Sequence, residues 1–486
     1  MIGSDARDDA GQRELHARSQ KRRSDLSLPE ATGLVIANWK QFGSTDVLPK
    51  EPEWAVLAAF AQEAVVAAWG EEPRYPTPSL ELLALSELAT RSITLHDPQA
   101  GLRFAAAVTA HAYWIEATRS KAEMSPACRA ELRTARGTMV ASAAYARRDH
   151  LLEELKRGFP LMFKSDVAAC FGSIQPMNAL VLPWFAGSLM GREFQRFGMT
   201  SLPVGGIQSR WLAEWVLSKA IDDPLRKSGF QYVRHMDDVW VGVSSRREAH
   251  DAQRIITFGL ATRALTLNKA KTDLVLSHTV TPLAAPSLGE LRELLKTDGD
   301  RVAIMCGLRQ LRELGAGLPP RERERWTRIL LSAIETLPGS STPLLRTILA
   351  LSAGHLDDDA VVTVVSLGES PFSVTRARAI ELLSMYAVSQ VGPVARTLAI
   401  QDPSPLVRRE SLFAMARLED LKGVRATLEH PCVTGAERSA RLVVAGALGV
   451  KSNVPKKSSF ENLLLRAARD YGQGPMLRPR KVWKER

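Results

Sequence analysis

Cysteine is scarce in this sequence, with four residues in 486, and the four lie far apart at positions 128, 170, 306 and 432. This spacing argues against a zinc site and against a disulfide framework, and it is typical of a reducing compartment. No apolar run approaches the roughly 20 residues that span a bilayer, and the polar N-terminus does not resemble a secretion signal. We therefore expect a cytoplasmic protein that does not enter a membrane.

Acidic residues are also in the minority. There are 53 Asp and Glu residues against 64 Lys and Arg residues, which gives a formal net charge of +11. This excess favours a polyanionic partner, either nucleic acid or an acidic membrane surface, and the charge alone does not choose between them. The hydrophobic fraction of 45% is that of a globular protein.

Changes in composition divide the chain into five segments. The first is polar and charged, and we predict that it is disordered until bound. The second has apolar residues at helical spacing in 51–70, 78–91 and 101–119, which predicts a mainly helical region. The fourth is helical again, and the fifth is a basic tail. The segments are 1–28, 29–150, 151–285, 286–450 and 451–486.

The third segment mixes strands and helices. An apolar run at 159–163 predicts a strand that ends at Asp166, and residues 230–243 predict a hairpin with Asp237 and Asp238 at its turn. Between them, 211–221 predicts a buried helix. The expected fold class is α+β, an antiparallel sheet with helices, followed by an all-α region.

The fourth segment shows an internal repeat. Arginines at 346, 376, 408 and 438 are separated by 30, 32 and 30 residues. A period near 30 residues with two helices per unit predicts an α-solenoid. The clearest copy, DPSPLVRRESLFAMARL at 402–418, resembles HEAT repeats.

Three aspartates of the third segment form a candidate metal site. Nucleotidyl transfer uses two divalent ions about 4 Å apart, and these ions prefer oxygen ligands. A strand-end Asp166 beside the hairpin pair Asp237 and Asp238 has that form. Each aspartate also has an ordinary alternative, since Asp166 is suited to a helix cap and an Asp-Asp pair is suited to a turn.

The order of four motifs resembles the palm of reverse transcriptases. These are FKSDVAACFGSI (163–174), LPVGGIQSRWLAEWVL (202–217), HMDD (235–238) and LTLNKAKT (265–272). They match in turn an Asp followed by an aromatic residue five positions later, a Pro-x-Gly-x-x-x-Ser motif, the Tyr-x-Asp-Asp box and a motif with a lysine. The Ser-Arg-x-x-Ala-Glu run at 209–214, together with the helical repeats, resembles bacterial abortive-infection and defence-associated reverse transcriptases more than retroviral enzymes.

The resemblance implies an order of fingers, palm and HEAT-like repeats, and it implies a set of site residues. Asp166 and Asp237 would be the principal ligands of Mg²⁺, or of Mn²⁺, with Asp238 supporting them. The carbonyl of Val167 would add one oxygen.

Further residues would bind the nucleotide. Phe171 stands where the family has its sugar gate, which predicts a preference for deoxynucleotides, although a plain core position is the alternative. Pro203, Gly205 and Gly206 would let the backbone approach the templating pair. Lys271 would contact the triphosphate, with an ordinary solvated lysine as the alternative.

The implied activity is RNA-directed synthesis of DNA in bacterial antiphage defence. The implied partners are a template–primer, a noncoding RNA, the DNA product and deoxynucleoside triphosphates, with a sister polymerase or self-assembly as further expectations. Tyr471, in the predicted tail, is a candidate protein primer or an ordinary exposed tyrosine.

Two positions depart from the family pattern. His235 replaces the aromatic residue of the Asp-Asp box, and Val204 replaces a glutamine. These changes keep open a template-independent terminal transferase on the same palm. An inactive nucleic-acid-binding scaffold is the non-enzymatic alternative. A nuclease site would leave the Pro-Val-Gly-Gly loop and the spacing of Phe171 unexplained.

Overall fold

The computed structural model describes most of the chain from residue 26 to residue 471. The described residues are 26–37, 52–73, 79–84, 90–95, 97–112, 115, 129–133, 138–142, 145–175, 189–196, 201–202, 207–280, 286–297, 301–337, 340–351, 356, 358–386, 388, 390–431, 434–450 and 457–471.

The N-terminal and central parts contain helices, two separate hairpins and one four-stranded sheet. The helices are α1 Leu28–Ala37, α2 Pro52–Ala59, α3 Ala61–Gly70, α4 Pro98–Ala110, α5 Tyr145–Gly158, α6 Leu189–Arg196, α7 Ile207–Leu217, α8 Asp223–Lys227 and α9 Arg246–Ala261. The strands are β1 Ser79–Ala84, β2 Thr90–Leu95, β3 Arg129–Arg133, β4 Thr138–Ser142, β5 Leu161–Ser165, β6 Tyr232–His235, β7 Asp238–Val243 and β8 Asp273–Leu276. A π-helical turn, Ser218–Asp222, joins α7 to α8.

The rest of the described chain is helical. Its helices are α10 Leu288–Leu294, α11 Arg301–Leu314, α12 Pro320–Thr336, α13 Ser341–Leu351, α14 Asp358–Ser366, α15 Ser373–Met385, α16 Val391–Gln401, α17 Pro405–Arg417, α18 Leu421–Glu429, α19 Gly435–Ala447 and α20 Ser459–Tyr471. The predicted α+β class is confirmed, with a helical second half. No helix within the described ranges is both long and apolar enough to cross a bilayer.

The four-stranded sheet is antiparallel, with the strand order β6-β7-β5-β8. Its pairing aligns Ser165 with Val239 and His235 with Asp238. The end of β5 and the tip of the β6–β7 hairpin therefore meet at one end of the sheet, as the sequence predicted.

Helices cover both faces of this sheet. On one face, Leu152 and Leu155 of α5 pack against Val233 and Trp240. On the other face, Val241 joins a large core with residues of α7 and α9. Because both faces are covered, β6 is buried along its whole length although it is an edge strand.

One helical prediction was wrong. Within the stretch 78–91, the described residues belong to β1 and to the start of β2, which pair from Ser79 with Leu95 to Ala84 with Thr90. Its leucines suit a helix locally, but the partner strand contains Thr and Ile residues that favour pairing. Glu81 of β1 is also buried and accepts hydrogen bonds from Ser404 Oγ at 2.6 Å and from Leu406 N at 3.1 Å. These contacts come from more than 300 residues away, so local propensity does not report them.

The periodic arginines connect consecutive repeats. Arg376 binds both oxygens of Asp402, with distances of 3.0 and 2.9 Å. Arg408 binds Glu437 in the same way, at 2.7 and 3.0 Å. Arg438 binds both oxygens of Glu461 in the next helix. At Arg376, Arg408 and Arg438, the sequence period therefore reflects a bidentate ion pair with the element that follows.

The segment 451–486, predicted as a basic tail, contains a packed helix at Ser459–Tyr471. Glu461 accepts from Ser458 N at 2.8 Å while its own N–H donates to Ser458 Oγ at 3.2 Å, which caps the N-terminus of α20. Its apolar positions, Phe460, Leu463, Leu464, Ala467 and Ala468, recur at helical spacing and are buried. Helix α20 packs against α19 and against α2 and α3.

The second half of the repeats is joined to the N-terminal region by buried polar contacts. Arg409 of α17 binds Glu53 of α2 at 3.0 and 2.9 Å, and both side chains are almost fully buried. Asp97, the N-cap of α4, lies against Gly435 at the start of α19. The repeats from α16 onward share the core of the sheet and the N-terminal helices, whereas most of α10 to α15 packs around a second core.

Gly259 of α9 lies against the π-helical turn. A Cβ at this position would stand 1.9 Å from the carbonyl oxygen of Ala220. We expect Gly259→Ala to lower the free energy of unfolding by about 2–3 kcal/mol, because two backbones would have to separate. Urea denaturation should show this loss. Gly33→Ala in α1, where nothing lies within 4 Å, is the control and should stabilise by about 0.5–1 kcal/mol. Equal behaviour of the two variants would contradict the close contact.

The ion pairs between repeats also differ in burial, which permits a paired test. Arg408 and Glu437 are 12% and 3% exposed, so Arg408→Met should leave a buried carboxylate without its partner and lower the free energy of unfolding by about 3 kcal/mol. Arg396 is half-exposed in its pair with Asp420, so Arg396→Met should change stability little. Urea denaturation of both variants measures the difference. A similar loss in both would exclude burial as the cause.

Candidate metal centre at the end of the central sheet

The three predicted aspartates come together at the end of the sheet. Asp166 follows β5, and extending the β5–β7 register by one residue places it opposite Asp238. The N–H of Val167 donates to the carbonyl of Asp237 at 3.2 Å. The strand end and the hairpin turn are thus joined directly through the backbone.

The hairpin turn itself has an uncommon conformation. Its two loop residues are Met236 and Asp237, and Met236 has a φ of 56°. A positive φ at the first loop position matches the right-handed twist of the flanking strands, but it is unfavourable for a residue with a Cβ. The turn therefore sets the direction of Asp237 at the expense of local strain.

A third segment holds Asp166 from the other side. Asn268 donates from its backbone N to the Asp166 carbonyl at 2.8 Å and from its side chain to Asp166 Oδ2 at 3.1 Å. The ammonium of Lys271 lies 2.9 Å from the same Oδ2 atom. This ion pair raises the pKa of Lys271. The predicted lysine is therefore at the site and contacts a carboxylate.

The carboxylates repel one another. Burial, followed by the charges of Asp166 and Asp238, raises the pKa of Asp237 to about 7. Burial and the charge of Asp166 likewise raise the pKa of Asp238. A cation placed among the three side chains would relieve this repulsion.

The donors fit a hard divalent cation in their chemistry, because carboxylate oxygens are the ligands that Mg²⁺ and Mn²⁺ prefer. Within the described residues, no group of three His, Cys, Asp or Glu side chains is already arranged as metal ligands. Lys271 supplies a positive charge to Asp166 in the arrangement seen here. Binding of a cation at Asp166 would have to displace this ammonium.

His235 does not carry a charge at neutral pH. Burial and the neighbouring Arg148 and Arg234 lower its pKa to about 4. The side chain is 8% exposed and lies on the face of the sheet that α5 covers, because its register partner Asp238 is two residues from Trp240 of that face. His235 therefore occupies a packed position in the sheet.

The predicted nucleotide contacts divide into described and undescribed residues. Phe171 lies in a short helix, Cys170–Ser173, and its half-buried ring packs against the central core. Pro203, Gly205 and Gly206 lie outside the described residues, as does Val204. Ser209 of α7, which follows them, is buried.

The placement of Tyr471 corrects one expectation. This residue is the last of α20, and its half-buried ring packs against the central core. Tyr471 is therefore part of a packed helix and does not lie in a free tail.

Two contributors to the site were not predicted from the sequence. Asn268 holds Asp166, and Arg234 lies buried beneath the hairpin, where it binds Glu214 and Asp222. A signal for Arg234 was present, because an arginine within the apolar strand YVRH must find buried partners.

The sequence matches no protein-family model and no curated protein.

The burial of Asp237, together with the repulsion from its neighbouring carboxylates, predicts a dependence of stability on pH. Its folded-state pKa of about 7 lies above the ordinary value of 3.8, so the folded protein holds a proton that the unfolded chain releases. In metal-free protein, this group should lower stability as the pH rises from about 4 to 7. Asp237→Asn lacks this effect, and we expect its free energy of unfolding above pH 7 to exceed that of the wild type by about 2 kcal/mol.

Thermal melts over this pH range, with and without millimolar Mg²⁺, measure the effect. Mg²⁺ should raise the melting temperature of the wild type above pH 7 and leave Asp237→Asn nearly unchanged. The control is Asp273→Asn, which alters an exposed aspartate of β8 in the same sheet. If the two variants respond alike to pH and to Mg²⁺, the three carboxylates do not form a cation site.

Proposed function

We propose that this protein is an RNA-directed DNA polymerase that joins deoxynucleotides with the help of divalent cations. The observation that carries the proposal is the meeting of Asp166, Asp237 and Asp238 at one end of an antiparallel sheet, with the pKa values of both hairpin aspartates raised. A purely structural role would need fewer than three carboxylates. They are suited to binding a dication beside a triphosphate.

In this proposal Asp166 and Asp237 bind Mg²⁺ or Mn²⁺, Asp238 supports them, and the Val167 carbonyl adds an oxygen. The bound cations would activate the 3′-hydroxyl of the primer and hold the leaving pyrophosphate. Lys271, 2.9 Å from Asp166, then turns to the triphosphate as a point charge. Its exposed position allows this movement, since its side chain is 59% exposed.

The nucleotide would lie against Phe171 and the loop of Pro203, Gly205 and Gly206. A ring packed beneath the sugar leaves no room for a 2′-hydroxyl, so we propose a preference for deoxynucleotides. The loop glycines lack a Cβ and let the backbone approach the templating pair.

The proposed partners follow from the charge and from the resemblance to defence-associated enzymes. A formal charge of +11 suits a template–primer held through its phosphates. We propose a noncoding RNA as template and antiphage defence in the bacterial cytoplasm as the setting, with a sister polymerase or other copies of the chain as assembly partners. Priming from Tyr471 would require its ring to leave the core, so we favour a nucleic-acid primer.

One observation favours a second candidate, a nucleic-acid-binding scaffold without catalysis. Lys271 already neutralises Asp166. A scaffold would bind RNA equally well with or without the hairpin carboxylates, which distinguishes it from the polymerase.

Incorporation of labelled deoxynucleotides by the purified full chain, together with its bound nucleic acid, tests the proposal. With Mg²⁺ we expect product from the wild type and a loss of at least about 1,000-fold in the Asp237→Ala/Asp238→Ala double variant. Asp273→Ala alters an exposed aspartate of β8, the strand that pairs with β5, and is the control that should retain activity. Sequencing the bound RNA and the product determines whether the product is templated.

Product from both the wild type and the double variant would mean that the activity comes from other residues of the chain or from a contaminating enzyme. RNA bound equally by both proteins, with product from neither, would support the scaffold. A product without any match to the bound RNA would support a terminal transferase.

A further inference from the structure

Arg234 uses every donor of its guanidinium beneath the hairpin. The side chain is 1% exposed. Its Nε and one terminal nitrogen donate to the two oxygens of Asp222 at 2.8 and 2.7 Å. The terminal nitrogens donate to the two oxygens of Glu214 at 2.9 and 3.1 Å. The fifth N–H donates to the carbonyl of Met236 at 2.7 Å, so all five donors of an arginine are satisfied.

This cluster is larger than a structural ion pair requires. One carboxylate would neutralise the guanidinium, yet two are buried with it, so the cluster carries a net negative charge. Buried charges of this kind rarely stabilise a fold more than apolar side chains of equal volume would. The second carboxylate fixes the orientation of the Arg234 guanidinium, because two bidentate contacts hold its plane.

The fixed guanidinium points its remaining donor at the strained residue of the turn. Met236 has a φ of 56°, a conformation that few non-glycine residues adopt unless their surroundings impose it. The hydrogen bond to its carbonyl stabilises the peptide that connects Met236 to Asp237. The direction of Asp237 therefore depends on Arg234.

The partners of Arg234 are themselves placed by unusual local structure. Asp222 is the last residue of the π-helical turn Ser218–Asp222, where one extra residue per turn changes the direction of the side chains that follow. The close approach of Gly259 to Ala220 holds this turn against α9. Glu214 lies on α7, so Arg234 connects the hairpin to the helix that follows the Pro-Val-Gly-Gly sequence.

We propose that Arg234 is the positioning residue of the candidate metal centre, which holds Met236 in its left-handed conformation and so directs the Asp237 carboxylate toward Asp166. Its effect on catalysis rests on the proposed polymerase function, whereas its effect on the hairpin does not. A displacement of Asp237 by about 1 Å would lower the rate of nucleotide transfer by roughly 100-fold.

Arg234→Lys tests this role beside a matched control. Lysine keeps the charge, but its single nitrogen cannot reach both carboxylates and the Met236 carbonyl together. Arg409→Lys is the control, because Arg409 is also 1% exposed and binds Glu53 through two hydrogen bonds, but it joins α17 to α2. Both substitutions should lower thermal stability, and only the first should affect the hairpin.

Two measurements separate positioning from stability. The first is hydrogen exchange of the amides in 232–243 in metal-free protein, followed by mass spectrometry well below the melting temperature. We expect about 10-fold faster exchange in Arg234→Lys and wild-type exchange in Arg409→Lys. The second is deoxynucleotide incorporation, in which Arg234→Lys should lower kcat about 100-fold with KM nearly unchanged.

Glu214→Gln provides a second variant in case Arg234→Lys does not fold. Glutamine keeps the size of the side chain and one acceptor oxygen, so the guanidinium loses one of its two bidentate contacts. Exchange of the hairpin amides and kcat should change in the same directions, but less than in Arg234→Lys.

The proposal is overturned if hairpin exchange in the folded variants equals that of the wild type, or if kcat falls no further than in Arg409→Lys. If the wild type itself incorporates no nucleotide, the polymerase function fails. The exchange measurement still decides the role of Arg234 in that case, because it needs neither cation nor substrate.

Discussion

The bidentate pair between a buried arginine and a carboxylate is the interaction on which this structure most depends. Such pairs join elements that are far apart in the chain: Arg103 of α4 to Glu193 of α6, Arg234 to Glu214 and Asp222, and Arg409 to Glu53. Apolar contacts supply most of the stabilisation, but they are non-directional and allow packed elements to shift relative to one another. A planar guanidinium that binds two oxygens fixes their relative position, so these pairs determine how the repeats, the N-terminal helices and the sheet are aligned.

Several features could be predicted because they are encoded locally. The hairpin follows from two β-rich runs around Asp237 and Asp238, and the strand before Asp166 follows from a short apolar run. The repeats followed from evenly spaced arginines, and two of these, Arg376 and Arg408, pair with acidic residues of the next repeat. Local patterns thus predicted the elements, whereas the order and spacing of the four motifs predicted that the three aspartates meet.

Other features depend on partners that lie far away in the sequence. The strand β1 was predicted to be a helix because its own residues do not reveal its contacts. These contacts are its pairing with β2 and the hydrogen bond that Glu81 accepts from Ser404. The helix α20 was not predicted, because its apolar face is buried only when it packs against α2 and α3. The hydrogen bonds of Arg234 require a π-helical turn that no residue pattern marks. Propensity cannot report such contacts, because they are fixed only when the whole chain has folded.

The packing of α20 against α2 and α3 has a consequence for biosynthesis. The backbone N–H of Ser459 donates to Glu71 across 388 residues. A ribosome that adds 5–20 residues per second needs about 20–80 s to cover that distance. Throughout this interval α2 and α3 expose an apolar surface, because the helix α20 that buries it has not yet been translated. Helix α20 emerges late and completes the packing of α2 and α3, so a chaperone would have its principal task at these two early helices.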